Sequence, residues 1–218
     1  MSAEQRKVAV LGGGSFGTVI ANIMAEKGIQ VAQWMRNKDR ADEINQQHTN
    51  SRYLPDYPLS PALTATTDIE SAVVGAELVF VAIPSQSFRS VVHQIKHIVT
   101  EQQCVISTTK GIEGETFSLM SQILKDELPQ ANVGVLSGPN LAKEVAQHQL
   151  TATVIASNHE PLRAAVQDAL QQSYFRVYAS SDTYGVELGG TLKNIYAIAA
   201  GLSAALGMGE NTKSMLLT

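Results

Sequence analysis

The sequence predicts a doubly wound α/β fold with a mostly parallel sheet, and two patterns in its 218 residues indicate this. Short apolar, β-branched runs alternate with helical patterns along most of the chain, as is typical of repeated βα units. Several of these runs are apolar at both odd and even positions, as expected for strands covered by helices on both faces. Hydrophobic residues make up 44% of the chain and charged residues 17%, which is enough apolar material for a sizeable core.

The elements follow in order along the chain. Seven apolar runs are predicted strands, at residues 8–11, 30–34, 78–83, 104–107, 132–136, 151–156 and 175–177. Five patterns between them are predicted helices, at residues 16–27, 38–47, 86–99, 116–128 and 161–172. Asp68 is placed to cap a further short helix. Residues 52–61 hold three prolines, so we expect an ordered irregular connection there.

The composition changes after residue 181. Residues 186–206 are mostly Gly, Ala, Leu and Ile with almost no charge, which indicates a helix packed against other helices. The sequence stops at Thr218, soon afterwards. We therefore interpret residues 1–181 as one domain and residues 182–218 as the first helix of a truncated, all-helical second domain. The alternative is that this helix simply closes over the sheet.

Composition also limits the partners. The 16 basic and 20 acidic residues give a net charge of −4, which offers no basic surface for nucleic acid or an anionic membrane. The single cysteine, Cys104, favours a reducing compartment. The chain starts without an apolar signal region, and its histidines lack metal-ligand spacing. We expect a soluble cytoplasmic protein with no metal, nucleic-acid or membrane partner.

The strongest local signal is a glycine-rich loop between the first strand and the first helix. Gly12, Gly14 and Gly17 form the pattern G-x-G-x-x-G. Gly12 suits a tight turn, Gly14 lets backbone approach a pyrophosphate, and Gly17 allows close packing of helix on sheet. The helix N-terminus adds free amides and a positive dipole end. We predict a dinucleotide site, with an unliganded βα turn as the alternative.

The end of the second strand indicates which dinucleotide is bound. A carboxylate there would hold the ribose 2′-hydroxyl of NAD, but this sequence has Arg36. A guanidinium suits a 2′-phosphate, so NADP is favoured, with NAD or use of both cofactors still open. The alternative is an ordinary surface arginine.

Two lysines lie at positions that suit substrate binding or proton transfer. Lys110 follows a predicted strand at the carboxyl edge of the sheet, where it could meet a phosphorylated or hydroxylated substrate and the cofactor together; an exposed loop lysine is the alternative. Lys193 lies in an apolar helical stretch beside Gly189 and Gly190. Burial there would lower its pKa and make it a usable base, unless the side chain extends out of the core.

The turn after the fifth strand holds another candidate. Residues 137–140 read SGPN, and a helix is predicted to begin near Leu141. Asn140 is placed to cap that helix, and this is the interpretation that spacing favours. Donation from Asn140 to a substrate oxygen is the alternative.

Six motifs occur together in register, at residues 12–18 (GGGSFGT), 34–36 (WMR), 53–55 (YLP), 110–112 (KGI), 137–140 (SGPN) and 192–194 (LKN). In this order and spacing the chain resembles the bacterial NAD(P)-dependent glycerol-3-phosphate dehydrogenase family from about residue 7 onward. The resemblance implies a Rossmann-type domain and interconversion of sn-glycerol 3-phosphate and dihydroxyacetone phosphate by hydride transfer. It also implies a role in phospholipid precursor synthesis and the option of a homodimer.

The resemblance also implies roles for single residues. The cofactor contacts it implies are Gly12, Gly14, Ser15, Phe16, Gly17, Arg36, Lys110 and Ala142. The substrate contacts it implies are Lys110, Gly138, Asn140 and Lys193. Lys193 would accept the proton in oxidation and donate it in reduction. Phe16 stands where members often have Trp, and Asn140 where many have Ser or Thr.

Family members continue well past position 218, into a part that carries a catalytic Asp and an Arg-Asn pair. We therefore expect this chain alone to bind NADP(H) weakly and to turn over poorly. Two alternatives stay open at this point. One is another Rossmann dehydrogenase of the hydroxyacid or ketopantoate type, and the other is a non-catalytic dinucleotide-binding module.

Overall fold

The computed structural model describes residues 6–217, which are organised around one eight-stranded sheet. The strands are β1 (Lys7–Leu11), β2 (Gln30–Trp34), β3 (Leu63–Thr66), β4 (Leu78–Val81), β5 (Cys104–Ser107), β6 (Asn132–Ser137), β7 (Thr151–Ala156) and β8 (Phe175–Ser180). Their spatial order is β3-β2-β1-β4-β5-β6-β7-β8. Every neighbouring pair is parallel except β6 and β7, which run antiparallel. The predicted doubly wound, mostly parallel sheet is confirmed.

Helices cover both faces of the sheet. They are α1 (Ser15–Glu26), α2 (Lys38–Gln47), α3 (Ile69–Val73), α4 (Phe88–Gln94), α5 (Met120–Glu127), α6 (Ala142–Ala146), α7 (Glu160–Leu170), α8 (Thr183–Ala205) and α9 (Glu210–Leu217). The four buried residues of β4 show why both faces need cover. Leu78 and Phe80 join the core under α1 and α7, whereas Val79 and Val81 join the core under α4 and α5. This two-sided burial explains the apolar runs.

Strand β3 was not predicted from the sequence. It is a four-residue edge strand that pairs in parallel with β2 alone. Its outer edge is satisfied by the Asn45 side chain of α2, which donates to the Ala65 carbonyl at 2.9 Å and accepts from the Ala65 amide at 2.8 Å. The strand therefore depends on a tertiary contact that the local sequence does not reveal. Residues 52–61 form the irregular connection that their prolines predict.

Two predicted helices are shorter than expected because local turns replace their ends. The helix predicted at residues 86–99 is a 3-10 turn over Ser85–Ser87 followed by α4. Residues 112–119 form a turn closed by a bridge between Ile112 and Leu119, so α5 begins only at Met120. None of the helices in the described part of the chain has the length and apolarity needed to cross a membrane.

The long C-terminal helix forms as predicted, and the described residues leave much of its apolar surface uncovered. Among the described residues of α8, only Glu187 and Ser203 are buried. The apolar side chains of Ile195, Ile198 and Leu202 are 62%, 72% and 60% exposed. Within residues 6–217, α8 makes its main contacts with α9, β6 and β7, and these cover only part of its circumference.

Asp68 caps α3 as predicted, and this cap gives a stability test. Its Oδ1 accepts from the amides of Glu70 at 3.0 Å and Ser71 at 3.2 Å. We expect Asp68→Ala to lower the free energy of unfolding by about 1 kcal/mol, because two helix amides lose their acceptor. Urea denaturation measures the change. The control Glu101→Ala removes an exposed loop carboxylate, and an equal loss in both variants would contradict the capping role.

Candidate functional site

A continuous cleft crosses the carboxyl edge of the sheet where the strand order reverses at β1. Its inner half is lined by Gly14, Ser15, Phe16, Gly17, Ala82, Ile83, Pro84, Ser85, Thr108, Thr109, Lys110, Leu136, Ser137 and Asn140. Its outer half is lined by Gly12, Gly13, Gly14, Trp34, Met35, Arg36, Asn37, Arg40, Tyr53, Ala82, Ile83 and Pro84. The shared residues make the two halves one surface. Open α/β sheets bind their ligands at this kind of switch point.

The glycine loop lines the centre of the cleft, and its geometry requires glycine at two positions. Gly12 has φ of +136°, and a Cβ there would overlap the Ala82 carbonyl. A Cβ on Gly17 would come within 2.5 Å of the Gly12 carbonyl oxygen. Gly14 differs, because a Cβ there would meet nothing within 4 Å. Gly12 and Gly17 therefore allow the turn to form, whereas Gly14 leaves open space beside the loop.

The N-terminus of α1 opens from this loop and fits a pyrophosphate. Gly14 is its N-cap residue and supplies no side-chain cap, and the first turn holds no acidic residue. The first amides of α1 are thus available to an anion, and the helix dipole adds a positive end. The Ser15 hydroxyl donates to the Tyr53 carbonyl at 2.8 Å, which ties the loop to the irregular connection. These residues fit a dinucleotide.

Two buried amide side chains, which the sequence analysis missed, support the loop from behind. Gln33 donates to the Gly12 carbonyl at 2.9 Å, and Asn50 donates to the Gly13 carbonyl at 3.1 Å. Both also reach Thr18 Oγ1, at 3.0 and 2.9 Å. The one available signal was a glutamine inside the apolar strand β2. Its buried amide nitrogen has these two acceptors, as buried polar groups require, whereas its Oε1 has no partner among the described residues.

The outer end of the cleft is rich in guanidinium groups. Arg36 is exposed just after β2, as expected. Arg40 of α2 lies beside it, donates to the Tyr53 hydroxyl at 3.2 Å and stands 5.0 Å from the centre of that ring. Arg52 approaches the same ring at 5.8 Å. The Arg40 hydrogen bond lowers the pKa of Tyr53. Sequence analysis missed Arg40, because only the fold brings it to Tyr53.

The inner end of the cleft holds Lys110, and α8, the helix that carries Lys193, passes close to it. Lys110 Nζ donates to the Gly138 carbonyl at 3.0 Å. Burial of this ammonium, and secondly the positive charge of Lys193, lower the pKa of Lys110. Lys193 itself is exposed, so the predicted burial of its side chain is wrong. The reason is that α9, β6 and β7 leave this part of α8 uncovered within the described residues.

Asn140 lines the cleft, but the predicted cap is wrong. Its Nδ2 donates to Thr153 Oγ1 at 2.9 Å, and Thr153 Oγ1 donates in turn to the Ser137 carbonyl at 3.1 Å. Helix α6 instead follows Leu141, which provides no side-chain cap. Ala142, its first residue, packs against the core that includes α1 and is not among the lining residues found within 6–217.

The comparisons with known proteins agree with this geometry. The family model for the N-terminus of NAD-dependent glycerol-3-phosphate dehydrogenases matches residues 7–163, and the model for their C-terminus matches residues 182–218. The chain belongs to this family. That membership favours the glycerol-3-phosphate dehydrogenase reading over the hydroxyacid and ketopantoate alternatives.

Two curated relatives and one solved structure are similar to this chain. A glycerol-3-phosphate dehydrogenase [NAD(P)+] of Pseudomonas fluorescens is 56% identical over 215 residues, covering 99% of this chain and 60% of the relative. Its counterpart in Acinetobacter baylyi is 56% identical over 212 residues, covering 97% and 59%. The crystal structure of a Coxiella burnetii glycerol-3-phosphate dehydrogenase superposes with a TM-score of 0.88 at 36% identity, covering 97% and 65%. The chain thus spans about three fifths of the length of these curated relatives.

The turn that follows Lys110 is fixed by an ion-pair cluster outside the cleft. Arg89 of α4 contacts both carboxylate oxygens of Glu113 at 2.8 Å and Glu127 Oε1 at 2.9 Å. His93 Nδ1 lies 2.8 Å from the other Glu127 oxygen. In residues 6–217, no three His, Cys, Asp or Glu side chains form a group that could hold a metal ion. The cluster braces the turn by tying Glu113 to α4 and α5 through Arg89.

This brace predicts an acid-sensitive part of the stability. The hydrogen bond from Arg89, and secondly that from Thr116, lower the pKa of Glu113 from 4.5 to about 2. A carboxyl whose folded pKa is lowered stabilises the protein above its unfolded pKa and loses this contribution as the pH falls toward its folded pKa. We expect the urea midpoint to fall between pH 5 and pH 3, and less steeply in Glu113→Gln. Glu101→Gln should keep the wild-type slope, and a Glu113→Gln slope equal to wild type would contradict the assignment.

Proposed function

We propose that the chain forms the cofactor-binding part and supplies the proton-transfer lysine of an oxidoreductase. This enzyme interconverts sn-glycerol 3-phosphate and dihydroxyacetone phosphate with NADP or NAD. The observation that carries the proposal is one cleft that joins the glycine loop, Arg36 and Lys110, with α8, the helix of Lys193, packed against its inner end. Membership of the glycerol-3-phosphate dehydrogenase family supports the substrate.

The cofactor is held by backbone in the middle of the cleft and by cations at its outer end. Gly12 and Gly17 shape the turn, and Gly14, Ser15 and Phe16 present the α1 amides to the pyrophosphate. Arg36 takes the 2′-phosphate, which favours NADP over NAD. Lys110 and Ala142 complete the cofactor contacts implied by the family motifs. When bound, the nicotinamide cofactor accepts or supplies the hydride.

The substrate lies at the inner end of the cleft, between β5, β6 and α8. Lys110, Gly138 and Asn140 bind it, and the positive charge of Lys110 attracts its phosphate. Lys193 Nζ accepts the hydroxyl proton in oxidation and returns a proton to the carbonyl oxygen in reduction. The close approach of α8 supports this role, since a Cβ on Gly190, one turn before Lys193, would lie 3.8 Å from Lys110 Cε.

The domain boundary, the metabolic role, the location and the oligomeric state of the protein are proposed as well. We place the boundary between the cofactor-binding domain, residues 1–181, and the start of the helical domain, residues 182–218, where the second family match begins. The product serves phospholipid precursor synthesis. The single buried cysteine supports a cytoplasmic location, and the exposed apolar side chains of α8 are compatible with a homodimer.

Cofactor preference follows from Arg36. Trp34 lines the outer half of the cleft, so quenching of its fluorescence reports binding. We expect NADPH to bind more tightly than NADH, and Arg36→Gln to weaken NADPH about tenfold or more, because a charge-assisted hydrogen bond is lost. NADH affinity should stay within about twofold. Arg176→Gln, on the distant strand β8, is the matched control, and an equal loss for both cofactors in Arg36→Gln would contradict the NADP assignment.

The catalytic assignment is tested by Lys193→Ala. Because the chain alone is expected to turn over poorly, reduction of dihydroxyacetone phosphate is measured as NADPH consumption at high protein concentration. We expect this residual rate to fall about a hundredfold or more when the proton donor is removed. NADPH affinity from Trp34 quenching should be retained. Lys96→Ala removes an exposed lysine on the opposite part of the domain and should leave both values unchanged. A retained rate in Lys193→Ala would contradict the proton-transfer role, whereas NADPH binding with no reduction even in wild type would favour a cofactor-binding module without chemistry.

A further inference from the structure

Helix α8 carries one deeply buried charge, the carboxylate of Glu187. Its residue is 3% exposed, although most of the helix is open. One oxygen accepts from the Ser121 amide at 2.9 Å, and the other accepts from the Ser121 hydroxyl. The Met120 amide is a further donor to this carboxylate. Burial is the largest influence on Glu187 and raises its pKa, while these donors act in the opposite direction.

Glu187 caps the N-terminus of α5, whose own N-cap residue supplies no side-chain acceptor. The N-cap residue of α5 is Leu119, whose side chain holds no hydrogen-bond acceptor. Its own amide is satisfied by Gln122 Oε1 at 2.7 Å, but the Met120 and Ser121 amides depend on Glu187. A carboxylate at this end of a helix is also favoured by the helix dipole. The cap of α5 therefore comes from a different element, α8.

The same side of α8 reaches the cleft one turn later. Gly190 follows Glu187 by three residues, so both lie on the face toward the sheet. A Cβ on Gly190 would overlap Ser137 Oγ and lie 3.8 Å from Lys110 Cε. Lys193 follows after three more residues, which places it on the same side of the helix as Gly190 and Lys110. The seating of α8 at Glu187 thus sets the distance between the two lysines.

The N-terminus of α5, which Glu187 contacts, is also connected to the cleft. Lys110 and α5 are linked by the turn at residues 112–119, which the Arg89–Glu113 ion pair holds in place. We propose that Glu187 is a positioning residue: by capping α5 it seats α8 on the carboxyl edge of the sheet and so holds Lys193 beside Lys110. The inference rests on the proposed function only in treating these lysines as the groups that handle the substrate.

The test compares Glu187→Ala and Glu187→Gln with wild type in the full 218-residue chain. A short bis-succinimidyl ester links neighbouring amines, and mass spectrometry measures the Lys110–Lys193 link. We expect its yield to fall about tenfold in Glu187→Ala, the effect of losing one helix cap of ordinary strength. Glu187→Gln keeps one oxygen acceptor without the charge, so its yield should lie between those of Glu187→Ala and wild type. It also provides the test if Glu187→Ala does not fold.

A second readout separates positioning from plain destabilisation. NMR titration of ¹³C-methylated lysines measures Lys110, whose pKa should rise toward its ordinary value in Glu187→Ala as α8 and Lys193 move away. Asp68→Ala is the matched control, because it removes the two hydrogen bonds of the α3 cap and should leave both the link and the titration unchanged. A wild-type link and titration in both Glu187 variants would overturn the inference, as would equal changes in Asp68→Ala.

These measurements need no cofactor and no turnover, so they stand apart from the proposed function. A Glu187-dependent link in a chain that binds neither NADPH nor NADH would support the positioning role and refute the proposed function. Normal cofactor binding together with a Lys110–Lys193 link that does not depend on Glu187 would support the proposed function and refute the positioning role.

Discussion

The close approach of the β1–α1 turn to the end of β4 is the constraint on which the cleft depends. Gly12 lies against the Ala82 carbonyl with φ of +136°, a combination that any side chain would prevent. Gly17 then lets α1 pack directly over the turn. Because the loop is this tight, the first amides of α1 point across the carboxyl edge of the sheet. A larger residue at Gly12 would separate the strand from its helix and remove the anion site.

Polar side chains behind the loop keep this turn in one conformation. Gln33 and Asn50 each donate to a loop carbonyl and to Thr18, so carbonyls that face the protein interior are satisfied. A loop with unpaired buried carbonyls would be costly and would rearrange. The Ser15–Tyr53 hydrogen bond extends the same support to the irregular connection, which carries the aromatic ring that Arg40 contacts. The outer, cationic end of the cleft is thereby attached to its centre.

The inner end is organised in a different way, by the packing of α8 against the sheet. Glu187 fastens α8 to α5, and Gly190 lets it come close to Ser137 and Lys110. Beyond Leu192 most of α8 is exposed, so a few contacts near its start determine where Lys193 lies. A buried carboxylate that caps another helix is a directional contact, which suits it to fixing a position more than an apolar contact would.

The sequence by itself determined the fold class, the glycine loop and the order of most elements. Those features depend on local periodicity and on backbone sterics at Gly12 and Gly17, which short stretches of sequence express directly. It also predicted that Arg36 and Lys110 lie beyond strand ends, since parallel strands place those ends at one edge. Only the tertiary structure decided the rest. Strand β3 needs the Asn45 side chain, Asn140 bonds to Thr153 in preference to a helix, and Lys193 is exposed. The side chains that hold β3 and Asn140 lie on other elements, and Lys193 is exposed because the described residues cover α8 only in part. None of this is visible in the local sequence pattern.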